Sequence, residues 1–253
     1  MENTGSKQVC AVGDEFDVEI LRVSAGGGRG VAKHEGLVVF IPNTAPGDLV
    51  RVKVTKAQKS FVEAEMLELK TPSEARIDPV CPVFEECGGC TLQMLKMSEQ
   101  HRQKEGFLDF AVKSSFRDQD GIEDFKAEPI QGSAKALRYR NRIQLHQQGK
   151  HLGFYKKGSH KLVRINDCLI TDERIIAKFP ELKRQNRKRR VEIAVSQGGQ
   201  VVRSEKALGP EQALFSQVNT ELNKVLIKYV LDEARTIEKL EYVQDLYCGS
   251  GNF

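Results

Sequence analysis

The 253-residue chain has no apolar run approaching the length of a bilayer span, which removes helical integral membrane proteins from consideration. Its amino terminus, MENTGSKQVCAVGDE, lacks the basic, apolar and small-residue succession of an export signal. The expectation is a cytoplasmic protein whose thiols stay reduced. A large excess of either charge is also missing: 39 Lys and Arg against 35 Asp and Glu leave +4, too mild to argue a partner by itself. The most telling absence is local. Between Pro129 and Asn166 there is not one Asp or Glu, while Lys135, Arg138, Arg140, Arg142, Lys150, Lys156, Lys157, Lys161 and Arg164 supply nine cations. The plain reading is a solvated basic face; in a chain this balanced, a nucleic-acid surface is the better one.

Within that stretch RYRNRIQLH alternates. On a strand, Arg138, Arg140, Arg142 and Gln144 share one face, and Tyr139, Asn141, Ile143 and Leu145 the other. Three arginines two apart would make a comb about 13 to 14 Å long, comparable with two or so phosphate spacings on extended RNA. Turns at Gln147-Gln148-Gly149 and Gly158-Ser159 predict an antiparallel sheet with HLGFYKK and HKLVRI. Lys156, Lys157 and the aromatic pair Phe154 and Tyr155 thereby join the arginines as candidate phosphate and base contacts. KRQNRKRR, with six cations in eight residues, supports this as a charged loop.

Three of the six cysteines fall in CPVFEECGGC, Cys81 to Cys90. Thiolates so close repel one another unless they share a metal, a cluster or a disulfide, and a reducing compartment disfavours the last. Cys87 and Cys90 can chelate one centre, the two glycines between them curling the backbone and turning N–H groups toward sulfur. Cys81 supplies a third ligand. Cys168 in RINDCLI is the best fourth, because Cys10 lies in a loose N-terminus and Cys248 in a glycine loop. Four thiolates fit either a [4Fe-4S] cluster or structural zinc; one knuckle with an offset and a distant partner looks more like the cubane.

Asp14 to about Lys70 reads as five short β-branched runs separated by turn signals at Gly26-Gly27-Gly28, Glu35-Gly36 and Pro46-Gly47-Asp48, hence a small five-stranded barrel. Lys33, His34, Arg51, Lys53, Lys56 and Lys59 form either a basic face for RNA or a solvated strand face. Thr71–Val80 reads as a linker. Leu92, Leu95, Glu99, Arg102, Phe107, Leu108, Ala111 and Val112 then recur at helical steps, and Arg117–Glu128 reads as a loop. A second helix is expected from Thr171, capped by that residue and interrupted at Pro180, followed by a hairpin of RVEIAVS and QVVRSEK. A third helix from about Asn219 carries an apolar stripe, Leu222, Val225, Leu226, Tyr229 and Val230, expected to be core. EYVQDLYCGSGNF closes the chain as an apolar strand and a glycine loop of the kind that admits a cofactor.

The succession of barrel, C-x5-C-G-G-C, RYRNR strand, distant cysteine, FSQVN and DLYCGSGNF resembles the TRAM-bearing, iron-sulfur branch of the S-adenosylmethionine-dependent RNA 5-methyluridine methyltransferases that act on 23S ribosomal RNA. The resemblance implies an α+β multidomain protein: a flexible stretch over 1–13, a TRAM/OB-like barrel over 14–70, and a central α+β domain over 71–208 with the iron-sulfur site and basic antiparallel sheet. The start of a Rossmann-like methyltransferase domain would fill 209–253. It implies a [4Fe-4S] cluster on Cys81, Cys87, Cys90 and Cys168, and S-adenosylmethionine contacts from Gln217, Tyr247 and Asn252, with Gly249 and Gly251 shaping the loop. The family's thiolate nucleophile and general base lie in later motifs, beyond Phe253, and Cys248 is not that nucleophile. The chain is therefore expected to be the N-terminal portion of a larger enzyme, inactive in methyl transfer as it stands, with the apolar faces of the helix at Asn219 and the strand at Tyr242 left exposed, monomeric, and bound to ribosomal RNA rather than to DNA or membrane. The alternative is a stand-alone, metal-stabilised RNA-binding module without catalysis.

Overall fold

Val50, Val52 and Val54 are buried while Arg51 and Lys53 between them are half-exposed, the period-two alternation of a strand with one face on a core. That strand is β5 (Leu49–Ala57) of the computed structural model, which describes residues 10–196, 198–204 and 217–246. The chain divides into two compact units, one comprising residues up to 85 together with 90–131, the other 86–89 together with the chain from 132 onward.

In the first unit β5 joins β1 (Glu15–Glu19), β2 (Arg22–Val23), β3 (Gly30–His34), β4 (Leu37–Ile41) and β6 (Phe61–Thr71) in one sheet of order β1-β5-β6-β4-β3-β2. Six strands stand where five were expected, because the first run breaks at Ile20–Leu21. The break has a purpose. Ile20 N–H donates to Asp48 O and Leu21 N–H to Val31 O, both at 2.9 Å, so β1 continues one edge and β2 the other, and the sheet curls. Phe16 of β1 stacks on His34 of β3, ring centroids 3.7 Å apart and planes within 1°, across the gap between those edges. Val18, Ile20, Ala32, Val39, Ile41, Val62 and Ala64 fill the interior with the β5 valines. Cys10 is buried among them rather than loose, and burial pushes its thiol pKa up, with Asp14 and Glu35 adding to the effect. The β3–β4 hairpin turns on Glu35 (φ 46°) and Gly36 (φ 82°), as its sequence signal predicted.

Thr71–Val80 is no loose linker. Thr71 ends β6, and the fully buried Asp48 carboxylate accepts from Ala45 N–H (2.6 Å), Ser73 N–H (2.9 Å) and the Arg76 guanidinium (2.5 Å). Helix α1 (Met97–Ser115) is fixed through a buried side chain: Gln103 Oε1 accepts from Val23 N–H at 3.0 Å, satisfying an edge amide of the sheet. Leu92 and Leu95 precede this helix; Leu95 joins Val23, Ala45, Phe84 and Met94 in a small core, with Leu92 and Phe107 against it. A 3-10 turn, Ile122–Asp124, occupies the expected loop.

The second unit is built on an antiparallel sheet of order β11-β10-β7-β8-β9, from β7 (Arg142–Gly149), β8 (His151–Tyr155), β9 (Leu162–Arg164), β10 (Arg187–Val195) and β11 (Val201–Ser204). Ile143, Leu145, Leu152, Val163, Val191 and Ile193 are buried, as are Ile175, Phe179 and Leu182 of the short helices α2 (Glu173–Ile176) and α3 (Phe179–Arg184). The cap of α2 is Asp172, whose side chain accepts from Arg174 N–H; Thr171 is buried before it, and Pro180 sits in the first turn of α3. KRQNRKRR is half strand: Arg187–Arg190 open β10.

Helix α4 (Thr220–Thr236) starts as expected on Asn219, which accepts from Leu222 N–H at 3.1 Å. Its stripe is not core here: Val225, Leu226, Tyr229 and Val230 are exposed, Tyr229 by 60%. The expected strand through Tyr242–Leu246 is also absent. Tyr242 and Val243 are exposed, and no strand among the described residues pairs with them, without which extended chain has no ladder.

Candidate functional site

The cysteine loop shows why its residues are spaced as they are. In the second unit, Gly88 N–H donates to Tyr155 O at 2.9 Å, beside a bridge between Cys87 and Lys156. A Cβ on Gly88 would lie 2.9 Å from that same carbonyl, so the backbone reaches β8 only as glycine. Gly89 N–H points at Cys87 Sγ, 3.4 Å away, the donor arrangement that steadies a ligating thiolate. In the first unit, Cys81 and Cys90 are half-buried and pack on the Phe84–Met94–Leu95 core. Among the described residues no three His, Cys, Asp or Glu side chains stand together as a metal-binding group. Thiolate donors of this kind suit a soft metal.

Cys168 is held by its neighbours. Arg138 makes a two-pronged pair with Asp167, both contacts 2.7 Å, and donates to Cys168 O at 3.0 Å, while Asp167 Oδ1 accepts from Cys168 N–H at 2.7 Å. Arg138 holds the Asp167 carboxyl below the ordinary carboxylate range, against the opposing effect of burial.

The arginine comb does not form. Arg138 lies before β7 with φ 56°, in the left-handed region, and residues 138–140 run beside 169–172 instead: Arg138 N–H donates to Leu169 O and Arg140 N–H to Ile170 O. Arg140 Nε donates to Arg142 O at 3.0 Å, and Arg142 pairs with Glu192 at 2.9 Å. All three guanidiniums are engaged within the protein. The basic residues of the first unit are likewise interleaved with acid: Arg51 pairs with Glu15 and Asp17, Lys53 with Glu15, and Lys56 with Glu63.

Sequence reasoning missed the strongest aromatic feature of the second unit. The register sets Gln144, His146 and Gln148 of β7, Lys188 and Arg190 of β10, His151 and Tyr155 of β8 and Arg164 of β9 on one face of the sheet; Phe154, opposite Val163, lies on the other. Phe154 and Tyr155 therefore cannot act as a pair. Tyr155 stacks instead on His146, centroids 3.7 Å apart and planes 18° apart, and meets His160 edge-on at 5.2 Å. Gly153, opposite His146, leaves that ring without a cross-strand side chain on β8; a Cβ there would lie 1.8 Å from Val163 O. Burial lowers the His146 pKa, and the nearby Arg190 and His160 lower it further. The His–Tyr stack was legible only once β7 and β8 were in register.

Asn141 ties the sheet to the segment before α4. Its buried amide donates to Gln217 O (3.0 Å) and Thr220 Oγ1 (2.8 Å), and its N–H to Val218 O (2.8 Å). Gln217 is thus placed by its backbone, with its residue exposed. Tyr247, Gly249, Gly251 and Asn252 lie outside the described residues. No helix among the described residues is long and apolar enough to cross a membrane. Lys156 is exposed in the β8–β9 turn and Lys157, half-buried, follows it.

Residues 11–67 match the TRAM domain family. The chain is 38% identical over 248 residues to an uncharacterized RNA methyltransferase of Bdellovibrio bacteriovorus, an alignment covering 96% of this chain and 62% of that protein. It is 31% identical over 279 residues to the 23S rRNA (uracil(1939)-C(5))-methyltransferase RlmD of Dichelobacter nodosus, covering 89% of this chain and 65% of that one. The chain therefore spans less than two thirds of the length of these relatives. It shares its fold with the crystal structure of Pyrococcus abyssi tRNA (uracil-54, C5)-methyltransferase in complex with S-adenosyl-L-homocysteine, at a TM-score of 0.59 and 18% identity, over 85% of this chain and 64% of that one. A TRAM domain followed by a region homologous to proteins named RNA methyltransferases is what this chain comprises.

Proposed function

We propose that the protein acts in the transfer of a methyl group from S-adenosylmethionine to C5 of a uridine in 23S ribosomal RNA. The observation that carries this reading is the homology over almost the whole chain to RNA methyltransferases, the RlmD protein among them. In support, the second unit offers RNA an open, cation-rich sheet face, with Lys156 and Lys157 in the turn beside it. The arginines Arg138, Arg140 and Arg142 act on RNA through the backbone they brace rather than as a row of free guanidiniums. The Asn141 amide presents Gln217 for the cofactor, alongside Tyr247, Gly249, Gly251 and Asn252. Cys81, Cys87, Cys90 and Cys168 hold a [4Fe-4S] cluster, which supplies structural cohesion; Gly89 N–H supports the Cys87 sulfur, and Arg138 with Asp167 fixes the backbone at Cys168. Uracil C5 is a weak nucleophile, so the reaction needs a thiolate adding to C6 and a base removing the C5 proton, neither of which we assign to a described residue.

The test is transfer of tritium from labelled S-adenosylmethionine to 23S ribosomal RNA by protein purified from its native source. Label recovered in 5-methyluridine after nuclease digestion is the expected result. Label in another nucleoside would overturn the reading, and salt-sensitive RNA binding without any transfer would favour a metal-stabilised RNA-binding module. Iron and acid-labile sulfide close to four of each per chain would support the cluster; stoichiometric zinc would replace it.

A further inference from the structure

We propose that the stacked His146–Tyr155 pair on the open face of the second sheet is a docking platform for one unpaired base of single-stranded RNA, with the flanking phosphates held by Arg190 and Lys156. The proposal rests on the RNA reading above and adds the site and the mode of contact. Four observations lead to it. The rings are pre-stacked, 3.7 Å apart and nearly parallel, so a base extends an existing stack and no side chain has to be immobilised first. His160, exposed, stands T-shaped to Tyr155, ring centroids 5.2 Å apart, and adds a third ring to the cluster. Arg190 lies directly across β10 from His146, and exposed Lys188 lies across from Gln148, so cations stand one cross-strand step from the rings. On this face the one acid among the paired strand residues, Glu192, is engaged with Arg142 at 2.9 Å and leaves the surrounding charge positive.

The geometry favours single strands over duplex. Base stacking on aromatic rings needs an unpaired base with its π-face free, which a duplex does not offer, and it tolerates sequence because every base has such a face. Selectivity at this site is therefore for an exposed base in a loop or bulge, with identity left to other contacts.

The experiment uses the full chain and a 12-nucleotide single-stranded RNA carrying one 2-aminopurine, read by fluorescence anisotropy and by quenching of the modified base. Wild type is expected to bind with a salt-dependent affinity and to quench. Tyr155→Leu is expected to weaken binding about five- to a hundredfold and to lose the quenching, whereas Tyr155→Phe keeps both. Lys156→Ala is expected to lower affinity for any sequence and to reduce the salt slope by about 0.7 while leaving quenching in place at saturation. Thermal melts of each variant identify any that fail to fold, and the Phe variant together with wild-type quenching then decides. RNA binding by wild type without quenching, or with affinity unmoved by Tyr155→Leu, would overturn the platform while leaving the RNA reading intact. Equal affinity for a duplex of the same length would also overturn it, and no salt-sensitive RNA binding at all would overturn both.

Discussion

Arg76→Met tests whether the segment after β6 is fastened to the barrel by charge. Asp48 is fully removed from solvent and Arg76 is 16% exposed, so their contact is shielded from screening. Removing the guanidinium strands a buried carboxylate that retains two amide donors, from Ala45 and Ser73, and no cation. Breaking a buried pair in this way costs about 3–5 kcal/mol. Two N–H donors remain, so the lower half of that range is expected, about 3 kcal/mol. With an m-value of about 2 kcal/mol/M in urea, the unfolding midpoint of the unit should fall by about 1.5 M. Asp48→Asn alone should cost a similar amount, because it leaves the Arg76 guanidinium without its counter-charge and turns an amide toward N–H donors. The double variant should recover part of the loss, a coupling of about 2 kcal/mol in the cycle. Strictly additive losses, or an Arg76→Met effect under about 1 kcal/mol, would refute the claim that the charge pair fastens this segment.

Gln103→Leu leaves the Val23 amide without its acceptor in a buried setting; a loss of about 1–3 kcal/mol is expected, with faster hydrogen exchange at Val23, and unchanged exchange would count against the contact. Gly36→Ala places a Cβ with no atom within 4 Å but must adopt φ 82°, so about 1–2 kcal/mol should be lost through backbone conformation alone, readable as a lowered urea midpoint. The depressed Asp167 carboxyl contributes stability that is present above its unfolded pKa of about 3.9 and is lost as pH falls through the folded value. Its side chain is 42% exposed, so this amounts to less than about 1 kcal/mol. Arg138→Met should raise the Asp167 midpoint in a carboxyl-carbon NMR titration, and an unmoved midpoint would show that Arg138 is not the cause.

Where a feature is decided within a few residues, the sequence predicts it well. Glu35-Gly36 turns a hairpin because that pair of positive φ angles needs a glycine, and Asn219 caps α4 because its side chain reaches an amide three residues on. The failures share a different cause. Alternation in RYRNR suggested a comb, but Asp167 and Glu192, which claim Arg138 and Arg142, are 29 and 50 residues away in sequence and enter only through tertiary pairing. Phe154 and Tyr155 are adjacent in the chain and on opposite faces in the sheet, so the useful partner of Tyr155 came from β7. Nearness to the terminus suggests a loose Cys10, whereas the curled sheet draws it inside. The apolar stripe of α4 is exposed, as expected for this chain on its own, since periodicity reports which face seeks cover and not whether cover is present.

Glu15–Val23 supplies both boundary strands of the curled sheet, β1 pairing with β5 and β2 with β3. The same short run thus guards two edges that would otherwise offer unpaired amides to another chain, and it does so with Glu15, Asp17 and Glu19 turned outward on β1. A single cut between Ile20 and Leu21 would leave β1 held to the sheet by its ladder with β5 alone, and its departure would bare the β5 edge to another chain, so resistance to self-association in this unit depends on the integrity of one corner as much as on the composition of its core.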